Sequence, residues 1–187
     1  EAIEAEGFTP HALTWQRGSL SPTHSLAGVA ELRKLLREIR PDILHNISLK
    51  PVLLGGIASI GLSSIAVVNS LTGLGTLFVG NHRKSELTRP LVVAALRALL
   101  KRQGSRTIVQ NPDDKRFVLG LGVPEASVEL IPGSGVDTQH FVPLLEPPPP
   151  VTAAYVGRML ADKGVITLIQ AYSLATSRGV RLQLLLA

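Results

Sequence analysis

The sequence predicts an α/β fold built on a parallel sheet, and three observations support this prediction. Short apolar runs alternate with longer segments in which apolar residues recur at helical spacing. The connections between them are short and rich in Gly, Pro, Asn and Ser. Hydrophobic residues make up 45% of the 187 residues, enough to fill a core. Because parallel strands need crossover connections, helices are expected to cover both faces of the sheet.

The first elements lie before and just after Pro41. Residues 7–16 are predicted to be a short extended segment. A helix is expected over 26–40, because its leucines recur at helical spacing with charges on the other face. Pro41 disfavours helical backbone at the preceding residue and stops this helix. The apolar segment 42–47 is then predicted to be a strand.

No charged residue occurs between Pro51 and Gly80, and this stretch is long enough to cross a bilayer. A membrane-spanning helix is therefore one interpretation. The other is a buried helix over 50–60, a turn, a central strand over 64–70 and a glycine loop. A central parallel strand is apolar throughout, without alternation, and the glycines divide the stretch at suitable points. The second interpretation explains more of the sequence.

A longer helix is predicted over 85–102. Ser85 is expected to cap its start, and Lys101 and Arg102 are expected to complement the negative C-terminal end of the helix.

Asn111 marks the start of the following helix. It ends a predicted strand over 106–111, and Pro112 then occupies the first helical turn, as is common. A short strand is predicted over 127–132. The alternation of strands and helices indicates a Rossmann-like parallel sheet.

Four consecutive prolines mark the predicted boundary between two domains. They favour an extended conformation that joins neither a helix nor a central strand. Residues 1–144 form the predicted first domain, 145–150 the linker, and 151–187 the start of a second Rossmann-like domain. Its elements are a strand over 151–157, a helix over 165–178 and a strand over 180–187. One β-α-β unit buries too little surface to be stable alone, so we expect a chain truncated at both ends.

The charge balance indicates an anionic partner. Lys and Arg number 19 against 14 Asp and Glu, for a formal net charge of +5. Aromatic residues are only 4% of the chain, too few for a base-stacking surface, so nucleic acid is the least favoured partner. A phosphorylated small molecule or an anionic lipid fits better. The absence of Cys favours a reducing compartment, and the acidic opening EAIEAEGF does not indicate secretion.

Five motifs together resemble a known family. PDILHNISLKP, NSLTGLGTLF, QNPDD, ELIPGSGVDTQHFVP and YVGRMLADKGV occur in the order seen in the family 4 retaining glycosyltransferases of the GT-B fold. The loop TGLG and the string GSGVD are most similar to the subgroup that builds bacterial surface polysaccharides on lipid carriers. The resemblance covers about residues 40 to 187 and weakens before them.

The resemblance implies two Rossmann-like domains that face each other across a cleft. The second binds a nucleotide-diphospho-sugar, and the resemblance assigns Arg158 and Lys163 to its diphosphate. A physical argument agrees, because the departing diphosphate gains negative charge that fixed cations stabilise. Cations placed before a helix N-terminus also need an anionic partner, since that end of the helix is positive. The alternative is a solvated turn with two surface cations.

The acceptor side is expected to use residues at strand ends and in loops. The candidates are Thr72, Gly73, Gly75, His45 and Lys50. The glycines allow backbone amides to approach a ligand, and an imidazole at a strand end can contact a sugar hydroxyl. Lys50 and His82 are candidates for phosphate groups of a lipid-linked glycan acceptor. A tight turn, a core histidine and ordinary surface residues are the alternatives. Many relatives have a histidine in the SLTGLG loop, and its absence leaves the acceptor-side catalytic contact unassigned.

The string GSGVD resembles the family's crossing between domains. Gly135 gives the backbone freedom that a hinge requires, and Asp137 is expected to cap a turn. No metal site and no cofactor is implied. Basic charge and the apolar helix over 87–100 suggest peripheral contact with an anionic membrane, at the inner face of the cell membrane, for an otherwise cytoplasmic protein. The helix is equally well explained as core.

We expect the 187 residues alone to have little or no activity, because a later glycine loop and a pair of donor-binding glutamates of the family are missing. A noncatalytic sugar-nucleotide or lipid-phosphate binding module is the alternative function. A sugar-nucleotide 2-epimerase of related fold matches the motifs less well.

Overall fold

The computed structural model describes residues 2–14, 22–74, 83–133, 135–146, 148–160 and 163–187. The chain divides into two compact units, residues 1–133 and residues 134–187. The predicted proline linker belongs to the second unit, in which residues 135–146 and 148–150 form no helix or strand. Its role as the boundary between domains stays a prediction.

Four strands form one parallel sheet in the first unit, in the order β1, β2, β3, β4. The strands are β1 (Ile43–Ile47), β2 (Ala66–Leu71), β3 (Ser105–Val109) and β4 (Val128–Leu130). The helices are α1 (Ala2–Ala5), α2 (Pro22–Ile39), α3 (Leu49–Ala58), α4 (Arg83–Leu100) and α5 (Pro112–Gly120), with a 3-10 turn at Glu125–Ser127. This alternation confirms the predicted α/β fold with a Rossmann-like parallel sheet.

The helices bury one face of this sheet, and the prediction that helices cover both faces is wrong for the described residues. Along β2, Val67, Asn69 and Leu71 are buried while the residues between them are more exposed. The strands follow one another in chain order, so every right-handed crossover moves in the same direction and places its helix on the same side. Covering the other face would need a reversal of strand order. The main core consists of Val52, Leu71, Leu96, Leu100, Val109, Val118, Leu121, Val123 and Val128.

The opposite side of the sheet, here called the open face, carries exposed and half-buried side chains. Ile43 and Ile47 of β1 are 61% and 55% exposed. The open face consists of Ile43, His45, Ile47, Ala66, Val68, Ser70, Arg106, Ile108 and Glu129.

Two arginines bind carbonyl groups at the C-terminal end of α3. Arg102 donates from Nη1 to the carbonyl oxygen of Gly56 at 3.0 Å and from Nη2 to that of Ser59 at 3.2 Å. Arg33 of α2 donates to the carbonyl oxygen of Ala58 at 2.8 Å. Arg102 therefore complements the negative end of α3 and not, as predicted, that of its own helix. The sequence could not show this because the partners are about forty-five residues apart.

Of the two helix starts predicted from a capping residue, one is confirmed and one is wrong. Asn111 caps α5 as predicted, because its Oδ1 accepts a hydrogen bond from the Asp114 amide at 2.8 Å. Ser85 does not cap α4, because that helix already includes Arg83 and Ser85 lies within it. Of the predicted extended segment, residues 8–14 form no helix or strand, and residues 15–16 lie outside the described residues.

The uncharged stretch after Pro51 divides as predicted into a helix, a turn and a strand, namely α3, residues 59–65 and β2. Its last residues, 75–80, lie outside the described residues. None of the helices in the described ranges combines the length and the apolar character needed to cross a membrane.

The second unit contains the predicted β-α-β. Strands β5 (Val151–Tyr155) and β6 (Leu182–Leu186) are parallel neighbours, and α6 (Val165–Ser177) connects them. Val165 is buried, whereas Val151 and Leu185 are 70% and 58% exposed. As the size of the unit predicts, it buries little apolar surface.

Candidate functional site

Most candidate site residues of the first unit lie where β1 and β2 end. In parallel α/β sheets, ligands bind outside the carboxyl ends of the strands. Directly after β1, Ser48 has a positive φ of 77°, uncommon for a residue with a side chain. Its amide donates to the carbonyl oxygen of Ser70 at 2.8 Å, which ties the exit of β1 to β2. Helix α3 then begins at Leu49, with Lys50 half-buried in its first turn.

His45 has a hydrogen-bonded partner on the neighbouring strand. Its Nε2 lies 2.7 Å from Oγ of Ser70, and both side chains belong to the open face. Ser70 was missed by the sequence analysis. In the strand register His45 lies opposite Val68, so the contact to Ser70 runs diagonally toward the carboxyl end of β2. Only the register of the two strands shows this pairing.

A row of buried polar side chains lies on the opposite, helix-covered side of the same strands. Nδ2 of Asn46 donates to Oδ1 of Asn69 at 3.0 Å, and Nδ2 of Asn69 donates to Oγ of Ser105 at 3.0 Å. Asn46 and Asn69 are 4% and 2% exposed, so these bonds satisfy amides that are removed from water. The row joins three strands and fixes their relative register just before the site residues.

The TGLG loop is described only in part. Thr72 is exposed, and Gly73 has a φ of 124°, a conformation that favours glycine. Gly75 and His82 lie outside the described residues. The structure thus places Thr72 and Gly73 directly after β2 and Lys50 in the helix that follows β1. His45 is the middle residue of β1, and the prediction that it lies at the strand end is wrong; its side chain contacts Ser70 near the end of β2.

Arg158 and Lys163 flank the turn between β5 and α6 in the second unit. Both side chains are exposed, and among the described residues neither makes a hydrogen bond or an ion pair. The backbone beside them is held, because Oη of Tyr155 donates to the carbonyl oxygen of Arg158 at 3.0 Å. The amide of Lys163 donates to the carbonyl oxygen of Leu160 at 3.0 Å.

Helix α6 begins immediately after this turn without a side-chain cap. Its N-cap residue is Gly164, with a φ of 77°, and no described side chain caps the first helical turn. The first amides of a helix need partners and carry a partial positive charge. Two cations and an uncapped helix end therefore follow one another within the same short segment of chain.

Comparison with known families identifies the fold and its general activity. A family model described as glycosyl transferase 4-like matches residues 1–109, from the N-terminal end of the chain to the end of β3. The chain belongs to this family. A search of the curated proteins found no match. Membership in the glycosyl transferase 4-like family supports a glycosyltransferase role, which requires a sugar donor and an acceptor.

The family match includes the candidate residues of the first unit, and Arg158 and Lys163 lie beyond it. Gly135, also beyond it, has a φ of 69°, which suits glycine. Asp137 caps a turn as predicted, because its Oδ1 accepts hydrogen bonds from the amides of Gln139 at 2.9 Å and His140 at 3.2 Å.

Proposed function

We propose that the chain is part of a retaining glycosyltransferase that moves a sugar from a nucleotide-diphospho-sugar to a lipid-linked or polysaccharide acceptor. In this reaction the bond between the anomeric carbon and the diphosphate oxygen breaks, and its electron pair stays on the diphosphate. The acceptor hydroxyl oxygen bonds to the anomeric carbon on the same side of the ring, and its proton passes to the departing diphosphate. Charge therefore accumulates on the diphosphate as the bond breaks.

The observation that carries the proposal is the pair of unpartnered cations at the start of α6. The side chains of Arg158 and Lys163 are exposed and have no hydrogen-bond or ion-pair partner among the described residues. A guanidinium and an ammonium near uncapped helix amides are well suited to bind a diphosphate, because both groups form charge-assisted hydrogen bonds with phosphate oxygens. The backbone of the turn that carries them is held by hydrogen bonds at Arg158 and Lys163, which keeps the two side chains on one short turn before any ligand binds.

On the acceptor side, we assign His45 to a sugar hydroxyl and Lys50 to a phosphate group of the lipid carrier. Thr72 and Gly73 are assigned to the loop whose backbone amides approach the acceptor. Lys50, Thr72 and Gly73 follow the carboxyl ends of β1 and β2, and the His45 ring contacts Ser70 near the end of β2, which supports these roles.

We extend the proposal to peripheral contact with the anionic inner face of the cell membrane, from the cytoplasmic side. Leu91 on α4 is 74% exposed, and Arg97 and Lys101 near the end of the same helix are also exposed. An exposed apolar side chain and exposed cations along one helix suit the surface of an anionic bilayer, where a lipid-linked acceptor would be found.

Titration of UDP-glucose into the ¹⁵N-labelled chain tests the donor site. We expect the amide resonances of Gly164 and Val165 to move in the wild-type chain. The double variant Arg158→Ala, Lys163→Ala should bind at least about tenfold more weakly, because hydrogen bonds between charged groups contribute roughly 1.5–3 kcal/mol each. The matched control is Arg178→Ala, Arg181→Ala, which removes two other exposed cations of the second unit.

Two results would refute the assignment of Arg158 and Lys163. One is equal affinity of the double variant and its control for UDP-glucose. The other is that the wild-type resonances do not respond to millimolar UDP-glucose. Sugar transfer is distinguished from donor binding by measuring the release of UDP from UDP-glucose in the presence of an alkyl glycoside acceptor. A parent protein that contains this chain and binds the donor without transfer would be the noncatalytic binding module.

A further inference from the structure

The hydrogen bond between His45 and Ser70 gives the imidazole one engaged nitrogen and one available nitrogen. Nε2 contacts Oγ of Ser70 at 2.7 Å, and no described residue makes a hydrogen bond with Nδ1. The serine hydroxyl both donates and accepts, so it binds Nε2 in either tautomer of a neutral ring. In each case Ser70 holds the orientation of the ring and leaves Nδ1 available.

The surroundings of the pair are apolar. Its direct neighbours on β1 and β2 that share the open face are Ile43, Ile47 and Val68. The charged side chains of the same face, Arg106 and Glu129, lie on β3 and β4, and neither forms a hydrogen bond or an ion pair with the His45 ring. No described carboxylate therefore orients the imidazole. Among the side chains that the structure describes, Ser70 alone does so.

We propose that Ser70 is a positioning residue for His45, and that the Nδ1 atom of His45 makes a hydrogen bond with a sugar hydroxyl of an amphipathic acceptor. The diagonal contact draws the ring toward the carboxyl ends of the strands, where the acceptor binds. The isoleucine and valine side chains beside the pair provide an apolar surface for the alkyl part of such a ligand. The inference rests on the proposed function and adds a residue that the sequence did not indicate.

The imidazole ¹⁵N resonances of the full chain test the proposal. The probe is octyl β-D-glucopyranoside below its critical micelle concentration, and octanol is the control ligand without a sugar. His45→Gln assigns the resonances of His45 among the five histidines. In wild type, the glucoside should shift Nδ1 and octanol should not. Ser70→Ala should move Nε2 in the free protein and weaken glucoside binding about fivefold, the effect expected for losing one hydrogen bond of ordinary strength.

Ser70→Thr keeps a hydroxyl at this position and separates positioning from a merely structural role. We expect it to restore both the Nε2 resonance and the affinity for the glucoside. Three results would overturn the proposal: an unchanged Nε2 resonance in Ser70→Ala, unchanged glucoside affinity in that variant, or no response of Nδ1 to the glucoside in wild type. The UDP-glucose titration tests the second unit. If the chain binds UDP-glucose but gives one of these three results, the role of Ser70 and His45 is refuted and the proposed donor site is not.

Discussion

Replacing Gly55 with Ala should destabilise the first unit through the buried polar row. Gly55 lies in α3, and a Cβ atom there would be 2.0 Å from Oδ1 of Asn46 and 2.8 Å from its Cγ. Neither distance is tolerable between non-bonded atoms. The Asn46 amide must move, and its hydrogen bond to Asn69 is then lost.

The expected loss of stability is about 3 kcal/mol. Breaking the bond leaves buried amide groups without partners, which costs roughly 1–3 kcal/mol. Crowding a packed interior costs about 1–3 kcal/mol more, and the higher helix propensity of Ala offsets about 1 kcal/mol. The lost bond joins β1 to β2 beside Ser48, so the variant should also disturb the site residues that follow these strands.

Urea unfolding followed by far-ultraviolet circular dichroism measures the effect. Gly120→Ala is the matched control, because Gly120 lies at the end of α5 and a Cβ atom there meets nothing within 4 Å. The control should be neutral or stabilising by up to about 1 kcal/mol. In an Asn46→Ala background, Gly55→Ala should cost much less, since the clashing amide is gone. Equal stability of Gly55→Ala and Gly120→Ala would refute the reasoning.

Two further predictions concern contacts between elements. Arg102→Leu removes the hydrogen bonds to the carbonyl oxygens of Gly56 and Ser59. This variant should lower the free energy of unfolding by about 2 kcal/mol. The control Arg97→Leu changes an exposed arginine of the same helix and should alter that free energy by less than about 0.5 kcal/mol. Urea unfolding measures both variants, and a similar loss of stability in the two would contradict the role of Arg102 at the C-terminal end of α3. The pKa of Glu31 is lowered from 4.5 by hydrogen bonds from the side chain and then the backbone of Thr14, so Thr14→Val should raise that pKa in an NMR titration. Because the pKa of Glu31 is lower in the folded state, this contact stabilises the fold above pH 4.5, and the stabilisation is lost as the pH falls through the folded-state pKa. An unchanged titration of Glu31 in the variant would rule the contact out.

Part of the candidate site could be predicted from the sequence, because it depends on residues close together in the chain. The segment 157–165 contains its own signals, namely two cations, two glycines and the start of a helix. His45 was recognisable as a candidate because it belongs to a predicted strand, but it is the middle residue of β1 and not, as predicted, at the strand end. Ser70 was not recognisable, because its contact with His45 depends on the register of two strands separated by a whole helix.

The chain by itself determined the order and type of its elements and the start of α5, because helical periodicity, apolar runs and an Asn-Pro cap act over a few residues. Only the tertiary structure decided which face of the sheet the helices bury, which helix end Arg102 neutralises and which side chain orients His45. These depend on strand order and on contacts between residues far apart in the chain. The local preferences of the residues for helix or strand are compatible with several strand orders, and the packing of the whole unit selects one of them.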